Sequence, residues 1–388
     1  MLKLLVVDHS FVNPLFRRRW QLLAARYPVE VMLLVPDRWQ SDHFEDAVTY
    51  APQRTKNGRF QLQPLPTVRT NRHMQYLFVS ADIGLRDFSP DLIHVQHSEM
   101  TLVHHQLLTY KRVWAPDAAY TFHSMNALGV PDARVDQRLR WRHLRARADA
   151  ALCHYPGVRQ SLRSGGFEKP IHIQTSYGVD EDVFRPDPMV RQEVRVELGL
   201  DGQFVIGFAG RLDQRKGIDT LLQALPAEVS ERSLLLVGDG PMREEVDAIA
   251  EMPAYDGRII VTGYRQHAAV ARYMQAMDCF VHGSRTTATW VDTFPRAVVE
   301  AMATGVPVIG SDSGAIPYQL GDAGIIVPEG DAEALSGALD TLAGDPQRRR
   351  QLGAAGRRRA VEQFGQRALA DGFYQIMQEV LEGDDATA

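Results

Sequence analysis

The sequence predicts an α/β protein with two doubly wound domains, each built on a parallel sheet. Its 388 residues exceed the usual size of one hydrophobic core, so two domains are expected. Short β-rich runs alternate along the chain with amphipathic or polar segments of helical length. That alternation is typical of parallel sheets covered by helices. The composition, 45% hydrophobic and 23% charged, is that of a globular protein rather than a disordered or membrane-embedded one.

The predicted strands form two series. The first series comprises residues 2–8, 29–36, 92–97, 118–123, 149–154 and 171–175, and the second comprises 204–210, 233–238, 258–263, 278–284, 307–311 and 324–328. Between the two series lies the segment 177–188, which is rich in turn-forming residues and predicts the domain junction. We therefore expect domains at 1–185 and 186–365, and a disordered tail at 383–388.

The cysteines and the amino terminus constrain the class of protein. Cys153 and Cys279 each lie in an apolar strand-like run, which favours buried thiols over a disulfide. No CxxC or His-rich spacing predicts a metal site. The opening residues 1–8 read as a first strand and are too short for a signal peptide. No apolar run reaches the length of a transmembrane helix, so we expect a cytoplasmic protein.

Charge is divided unevenly between the two halves. Residues 1–180 hold 23 Lys and Arg against 16 Asp and Glu, whereas residues 181–388 hold 20 against 32. The basic half includes the run 134–147, whose pattern predicts a helix with Arg138, Arg142 and Arg145 near one another and with Leu139 and Leu144 towards another face. The basic side chains of this helix are suited to binding an anionic membrane surface. Alternatively, the helix is an ordinary solvent-exposed one in a chain that is rich in arginine throughout. A nucleic-acid partner is not expected, because no stacking-rich groove motif accompanies the charge.

The most informative stretch is residues 290–307. Asp292 comes just before a short apolar helix, and Glu300 lies inside that helix. Pro295 fits the helix start and Gly305 its end. Asp292 therefore belongs to a loop at a helix N-terminus, where backbone N–H groups favour anions.

Glu300 admits two interpretations. It interrupts an apolar run, which indicates a packed helix and a partly buried carboxylate. Alternatively, Arg296 and Glu300, four residues apart, form an ordinary pair on a helix surface.

Other polar and glycine-rich segments follow the predicted strands of the second series. Ligands of open α/β sheets bind beyond the carboxyl ends of the strands, so these segments should line one site. They are Gly210-Arg211 with Lys216, Gly238-Asp-Gly-Pro, Gly263-Tyr264, His282-Gly-Ser284 and Asp292-Thr293-Phe294-Pro295. Cations placed there can stabilise an anionic leaving group, although a solvated loop explains the same residues without a ligand.

Together these segments resemble the motifs of retaining glycosyltransferases with the GT-B fold, family four, also called glycosyl transferases group 1. Asp292 and Glu300 form D-x7-E, which resembles the family's E-x7-E signature with the first acid one methylene shorter. Residues 208–217 resemble its G-R-L-x-x-x-K-G element. The resemblance implies two domains that face a central cleft, and a helix at 366–382 that crosses back to the first domain.

The resemblance also implies roles for particular residues. Arg211 and Lys216 would hold the donor diphosphate, Glu300 the ribose, and Asp292 with the backbone after it the transferred sugar. The implied donor-binding set is Gly210, Arg211, Lys216, Gly238, Gly263, Tyr264, Ser284, Asp292, Thr293, Phe294, Pro295 and Glu300. A vicinal diol offers two donors to one carboxylate, which suits the role of Glu300.

The amino-terminal half resembles the family less closely. His123 ends a predicted strand and resembles the family's strand-end histidine near the scissile bond, so it joins Arg211, Lys216 and Asp292 as a catalytic candidate. The family's Gly-rich loop after the first strand is replaced by a glycine-free segment at 9–14. In that loop, Ser10 and Asn13 are the candidate acceptor or phosphate contacts.

The resemblance implies that the protein transfers a hexose-type sugar from a nucleotide-sugar, such as a UDP- or GDP-sugar. The acceptor would be a hydroxyl of a sugar, a lipid-linked molecule or another compound. In the reaction path of the family, the acceptor attacks from the same face that the diphosphate leaves, and the departing phosphate accepts the acceptor's proton. No metal or other cofactor is implied, and domain closure is a further hypothesis. A nucleotide-sugar epimerase and a catalytically weak nucleotide-sugar-binding protein are the alternatives. The basic amino-terminal half adds the hypothesis of contact with the inner membrane face.

Overall fold

A computed structural model describes residues 1–41, 44–49, 52–55, 58–70, 72, 74–80, 83–129, 134–226, 229–255 and 257–383. The chain divides into two compact units. One unit consists of Met1–Ser176 together with the carboxy-terminal residues from Gln366, and the other is Tyr177–Gly365. The predicted disordered tail lies outside the described residues, apart from Gly383.

The first unit is built on an eight-stranded sheet with the order β12-β11-β10-β9-β1-β2-β6-β5. Its strands and two short hairpins are β1 Leu2–Val7, β2 Val29–Pro36, β3 Arg38–Ser41, β4 Phe44–Thr49, β5 Gln53–Arg54, β6 Phe60–Leu65, β7 Thr67–Val68, β8 Leu77–Phe78, β9 Leu92–Val95, β10 Ala119–Ser124, β11 Ala150–Cys153 and β12 Ile171–Ile173. Its first helices are α1 Arg18–Arg26, α2 Leu85–Phe88, α3 Leu102–Trp114, α4 Val135–Arg147 and α5 Pro156–Ser164. Within the sheet β5 runs antiparallel to β6, and the other neighbouring strands are parallel.

The second unit carries a six-stranded parallel sheet with the order β15-β14-β13-β16-β17-β18. Its strands are β13 Phe204–Ala209, β14 Arg232–Val237, β15 Ile259–Val261, β16 Cys279–His282, β17 Val308–Ser311 and β18 Ile325–Val327. Its helices are α6 Pro188–Glu197, α7 Ile218–Gln223, α8 Arg243–Ala250, α9 His267–Gln275, α10 Arg296–Ala303, α11 Ile316–Leu320, α12 Ala332–Gly344 and α13 Pro346–Arg359. The α/β class with two parallel sheets is therefore confirmed.

Both faces of the second sheet are buried. Leu235 and Val237 of β14 belong to one apolar cluster, whereas Leu234 and Leu236 belong to another. Because successive side chains of a strand point to opposite faces, the continuous apolar run is explained by helices on both sides.

The last helix, α14 Gln366–Glu382, packs in the first unit against α1. Tyr27 stacks on Tyr374 with ring centroids 4.0 Å apart, and Trp20 meets Phe373 edge-on at 4.8 Å. Burial of these aromatic rings ties the end of the chain to its beginning.

The second compact unit begins at Tyr177, nine residues before the predicted domain boundary at 185/186. Val179 bridges to Gly365, and Phe184, with 0% exposure, lies in a core cluster of the second unit. The turn-rich composition of this segment predicted a junction, but its apolar side chains are packed into the second unit.

The basic helix also differs from its prediction. Helix α4 forms, but Leu144 is buried while Leu139 is 60% exposed. The two leucines therefore do not share a buried face. Within the described residues, the helices all fall short of the length and apolar character that a membrane span needs.

Candidate functional site

The candidate donor site lies at the carboxyl edge of the second sheet. It is formed by the loop after β13, the loop after β16 and the start of α10. Glycines bring these loops together: a Cβ on Gly238 would overlap the carbonyl of Gly210, and one on Gly314 would overlap the carbonyl of Asp292. Gly238 and Gly210 both have positive φ, which favours glycine.

Four side chains form what we call the Asp292 cluster: Lys216, His282, Ser284 and Asp292. Three of them surround a single carboxylate oxygen. Asp292 Oδ2 lies 2.5 Å from Lys216 Nζ, 2.8 Å from Ser284 Oγ and 3.1 Å from His282 Nε2. Loops that follow two different strands thus meet at one oxygen.

The charges within the cluster support one another. Burial by itself raises the pKa of Asp292, but the hydrogen bond from His282 and the attraction of Lys216 outweigh it and hold that pKa well below its usual range. Burial lowers the pKa of His282. Asp292 is therefore an anion beside a neutral imidazole and one ammonium group.

The rest of Asp292 is placed by its neighbours. Its carbonyl accepts the N–H of Ala315 at 2.9 Å. No described residue donates a hydrogen bond to Oδ1 of Asp292 or accepts one from the N–H of Thr293. One carboxylate oxygen and one backbone donor next to α10 are therefore available to a ligand.

Glu300 lies on α10 with 6% exposure, and its Oε1 is 2.7 Å from Nε2 of His267 at the start of α9. Burial raises the pKa of Glu300. The hydrogen bond from His267 and the charge of Arg296 together lower that pKa by more than burial raises it, so the net shift is downward. The interpretation of Arg296 and Glu300 as a simple surface pair is therefore wrong, because the carboxylate is buried against another helix.

The other predicted cation, Arg211, is exposed. Its side chain is 58% exposed and lies 3.8 Å from Asp213. Lys216, by contrast, is 22% exposed and also contacts the ring face of Trp290 at 4.9 Å. The structure thus brings Lys216 to Asp292 and leaves Arg211 extended into solvent.

Tyr264 is 76% exposed beside Gly263, which is bridged to Gly238. The remaining predicted donor residues, Thr293, Phe294 and Pro295, lie immediately before α10.

In the first unit, His123 lies one residue before the end of β10 and is 1% exposed. Burial is the main reason that the pKa of His123 lies well below its usual range, and nearby His154 and His94 lower that pKa further, so the ring is neutral. Neither ring nitrogen has a hydrogen-bond partner among the described residues. Other described residues, such as Trp20 and His94, also have buried polar atoms without a partner, so this feature makes His123 a candidate and no more.

Ser10 and Asn13 serve local structure. Ser10 donates from Oγ to Asp8 at 2.7 Å, and Asn13 accepts the N–H of Leu15 at 3.0 Å. Asn13 thereby caps the second of two short 3-10 turns, whereas the first is capped by Asp8, to which Ser10 donates.

Sequence reasoning missed one contributor, His267. It reaches Glu300 through tertiary packing, which no local pattern reveals. His282 and Trp290 lie in segments that the sequence singled out, but their contacts with Asp292 and Lys216 come from the structure.

Comparison with solved structures identifies the class of fold. Sucrose-phosphate synthase from Thermosynechococcus elongatus superposes with a TM-score of 0.73 at 19% identity, covering 98% of this chain and 100% of that one. HepE of Anabaena, solved in complex with UDP, gives a TM-score of 0.74 at 16% identity, covering 97% and 100%. The fold is that of the GT-B glycosyltransferases.

Comparison of sequences supports the same class over the second unit. Residues 190–359 match the model of the family described as glycosyl transferases group 1. The predicted resemblance to that family is confirmed for these residues.

Individual relatives cover the chain in part. The GDP-mannose-dependent alpha-(1-6)-phosphatidylinositol monomannoside mannosyltransferase of Mycolicibacterium smegmatis is 34% identical over 195 residues, which are 48% of this chain and 51% of the relative. The lipopolysaccharide core biosynthesis glycosyltransferase LpsE of Rhizobium meliloti is 24% identical over 68% of this chain and 74% of its own length. The chain thus spans about half the length of the first of these relatives.

Proposed function

We propose that this protein is a retaining glycosyltransferase that moves a hexose-type sugar from a nucleoside-diphosphate sugar to an acceptor hydroxyl. The observation that carries the proposal is the Asp292 cluster, in which Lys216 and Asp292 meet in front of a helix N-terminus. GDP-mannose is the first donor to test, because relatives are named as GDP-mannose-dependent mannosyltransferases.

In this proposal each side chain has one role towards the donor. Lys216, assisted by Arg211, neutralises the diphosphate as the bond to the sugar breaks. Asp292 Oδ1 and the N–H of Thr293 hold hydroxyls of the transferred sugar. Glu300, held by His267, binds the ribose diol, and the loop at Gly263 and Tyr264 receives the base.

The proposed reaction retains the anomeric configuration. The acceptor hydroxyl attacks from the face that the diphosphate leaves, and a phosphate oxygen accepts the hydroxyl proton. Three donors already engage Asp292 Oδ2, which favours a role in holding sugar over one as a covalent nucleophile. His123 remains the catalytic candidate of the first unit, because neither nitrogen of its neutral ring has a hydrogen-bond partner among the described residues.

We also propose that the acceptor is lipid-linked and that the protein works at the inner membrane face. Helix α4 exposes Val135, Arg138, Leu139 and Arg142, which lie three or four residues apart and so form one stripe. Basic side chains beside apolar ones suit an anionic bilayer surface, where each cation contributes about 1 kcal/mol.

The test begins with UDP-, GDP- and ADP-sugars scored by thermal shift. A ligand at about 100 times its dissociation constant adds about 2.7 kcal/mol of stability. The donor that binds is then incubated with mannosylated phosphatidylinositol, and the new linkage is examined by NMR. Transfer with retention is expected, whereas inversion contradicts the proposed path.

Two other outcomes support the alternatives. Conversion of the sugar-nucleotide without acceptor indicates an epimerase. Binding without any consumption of donor indicates a nucleotide-sugar-binding protein.

A further inference from the structure

A tryptophan ring contacts the cation of the candidate donor site. Trp290 is partly buried, and the centroid of its ring lies 4.9 Å from Nζ of Lys216 and 5.1 Å from the guanidinium carbon of Arg215. The face of an aromatic ring is partially negative and attracts cations at these distances. Trp290 therefore touches the ammonium group that is proposed to meet the donor diphosphate, and it lies only two residues before Asp292.

The loop that carries this ring is fixed at both of its ends. We call residues 285–291 the covering loop. At its start, the backbone N–H of Arg285 donates to the carbonyl of Arg215 at 2.9 Å, so the loop begins against the turn that carries Lys216. At its end comes Asp292, whose carboxylate pairs with Lys216. Both ends of the covering loop are therefore tied to the surroundings of one cation.

A turn within the covering loop sets the place of the ring. The N–H of Thr287 donates to the carbonyl of Trp290 at 2.8 Å, and the N–H of Thr289 donates to Oγ1 of Thr287 at 3.3 Å. Residues 286–289 are exposed, whereas Trp290 is partly buried. The ring is therefore the side chain through which the tip of the loop packs onto the site.

The ammonium group of Lys216 has three N–H donors. One donates to Oδ2 of Asp292 at 2.5 Å, and within the described part of the chain this oxygen is the only hydrogen-bond acceptor of Nζ. The ring of Trp290 contacts the same group. Because the Lys216 side chain remains 22% exposed, a further donor is open to a ligand, in a direction that the carboxylate and the ring together restrict.

Such a restriction favours binding of an anion. A lysine side chain is long and flexible, so ordering it on a ligand costs conformational entropy. Contacts with Asp292 and Trp290 already order Lys216 in this protein. A diphosphate therefore meets a cation that is held in place, which reduces the entropic cost of binding.

We propose that Trp290 is a positioning residue for the donor diphosphate, whose ring keeps the ammonium group of Lys216 directed at a diphosphate oxygen. This inference rests on the proposed function and adds to it a residue that acts through Lys216. Arg215 also contacts the ring, but its side chain is 47% exposed and paired with Asp213. The effect of the ring on the ligand is therefore assigned to Lys216 rather than to Arg215.

Two replacements of the ring test this role. Trp290→Phe keeps an aromatic face, whereas Trp290→Leu keeps apolar bulk without one. We expect Trp290→Leu to weaken GDP binding about fivefold, which is about 1 kcal/mol and the scale of one cation–π contact, and Trp290→Phe to retain most of the affinity. Calorimetry measures both affinities on variants whose thermal unfolding shows that they are folded. Equal losses in the two variants, or no loss in Trp290→Leu, would overturn the proposal.

A double-mutant cycle shows whether Trp290 acts through Lys216, because coupled residues have non-additive effects. In the Lys216→Met background we expect Trp290→Leu to change the affinity for GDP by less than about twofold. In the Arg215→Gln background the loss of about fivefold should persist. A fivefold loss that survives in Lys216→Met would show that the ring acts by another route and would contradict the proposal.

Guanosine supplies a readout that general damage to the site would not leave unchanged. It has the base and the ribose of GDP but no phosphate group. We therefore expect Trp290→Leu to weaken the binding of GDP and to leave the binding of guanosine unaltered. Equal weakening of both ligands would indicate a merely structural role for Trp290.

Trp114→Leu is the matched control. Trp114 is also partly buried and contacts a cation, since the guanidinium carbon of Arg86 lies 4.6 Å from its ring centroid, but it belongs to the first unit. GDP binding should be unchanged in this variant, and a loss as large as that in Trp290→Leu would count against a specific role. Failure of the wild-type protein to bind any nucleotide refutes the proposed function, whereas GDP binding that is insensitive to Trp290→Leu refutes only the role of Trp290.

Discussion

Lys216 Nζ lies 2.5 Å from Oδ2 of Asp292, although 76 residues separate the two in the chain. The ammonium group that is proposed to meet the donor diphosphate is therefore already paired with the carboxylate proposed to meet the sugar. A diphosphate must share this cation with Asp292, and several predictions depend on that competition.

Replacing Asp292 should separate binding from turnover. Asp292→Asn removes the anion that competes for Lys216, so we expect GDP to bind more tightly, by up to about tenfold, the scale of one charge-assisted hydrogen bond. Turnover of the donor should fall more than about tenfold, because the hydrogen-bond acceptor offered to the sugar loses its negative charge. Calorimetry with GDP and donor kinetics measure the two effects. Asp340→Asn is the control, because the exposed carboxylate of Asp340 also pairs with a cation, Arg232. Weaker GDP binding in Asp292→Asn, with unchanged binding in Asp340→Asn, would refute the competition between Asp292 and the diphosphate.

Lys216 should matter more than the cation next to it. Lys216→Met keeps the length of the side chain and removes its charge, so we expect turnover to fall more than about tenfold through loss of leaving-group stabilisation. Arg215, which is 47% exposed and paired with Asp213, is the matched control, and Arg215→Gln should have a small effect. Steady-state kinetics of both variants measure the two effects on turnover. Equal losses of turnover in Lys216→Met and Arg215→Gln would show that only the total positive charge of the loop matters.

Glu300 should contribute to nucleotide binding through the ribose hydroxyls. We expect the wild-type protein to prefer GDP over 2′,3′-dideoxy-GDP by tenfold or more, the scale of a hydrogen bond to a buried charge. Glu300→Gln should weaken the binding of GDP and reduce the preference for GDP over 2′,3′-dideoxy-GDP, because the charged acceptor of the ribose diol is lost. Binding of both nucleotides is measured by calorimetry. Glu333→Gln, on α12, serves as the control, and a preference that survives in Glu300→Gln places the ribose elsewhere.

Acid should remove the stabilising effect of Asp292. Its pKa is lower in the folded protein than the ordinary value of about 3.9, so its contribution is present above that pH and is lost as the pH falls through the folded pKa. We expect the difference in free energy of unfolding between wild type and Asp292→Asn to be constant from pH 7 to about 5 and to shrink below about pH 4. Urea unfolding at several pH values measures the difference. A gap that widens in acid would mean that the carboxylate is destabilised by folding.

The exposed stripe on α4 should govern attachment to anionic vesicles. Arg138→Glu with Arg142→Glu reverses two charges, so we expect sedimentation with phosphatidylglycerol vesicles to fall by about tenfold or more at low salt. Arg348→Glu with Arg350→Glu, on the exposed surface of α13, makes the same change in net charge away from the stripe. Equal losses in the two variants would assign the binding to net charge alone.

Much of this architecture could be predicted from local patterns. Alternating apolar runs and helical segments indicated two parallel sheets, because burial on both faces requires continuous apolar strands. Asp292 and Glu300 were singled out by their spacing around a helix start, and each is buried where the pattern placed it, at the edge of the second sheet. Both patterns are properties of short segments, so they can be recognised in a single amino-acid sequence.

Contacts between distant segments could not be predicted in this way. His267 pairs with Glu300 across 33 residues of the chain. Three donors, one of them 76 residues away, converge on one oxygen of Asp292. The exposure of Leu139 and the inclusion of residues 177–185 in the second unit were likewise decided by packing. Sequence periodicity specifies which face of a segment is apolar, but the partner that covers that face, and the donor that reaches a given carboxylate, depend on the three-dimensional arrangement of the whole domain.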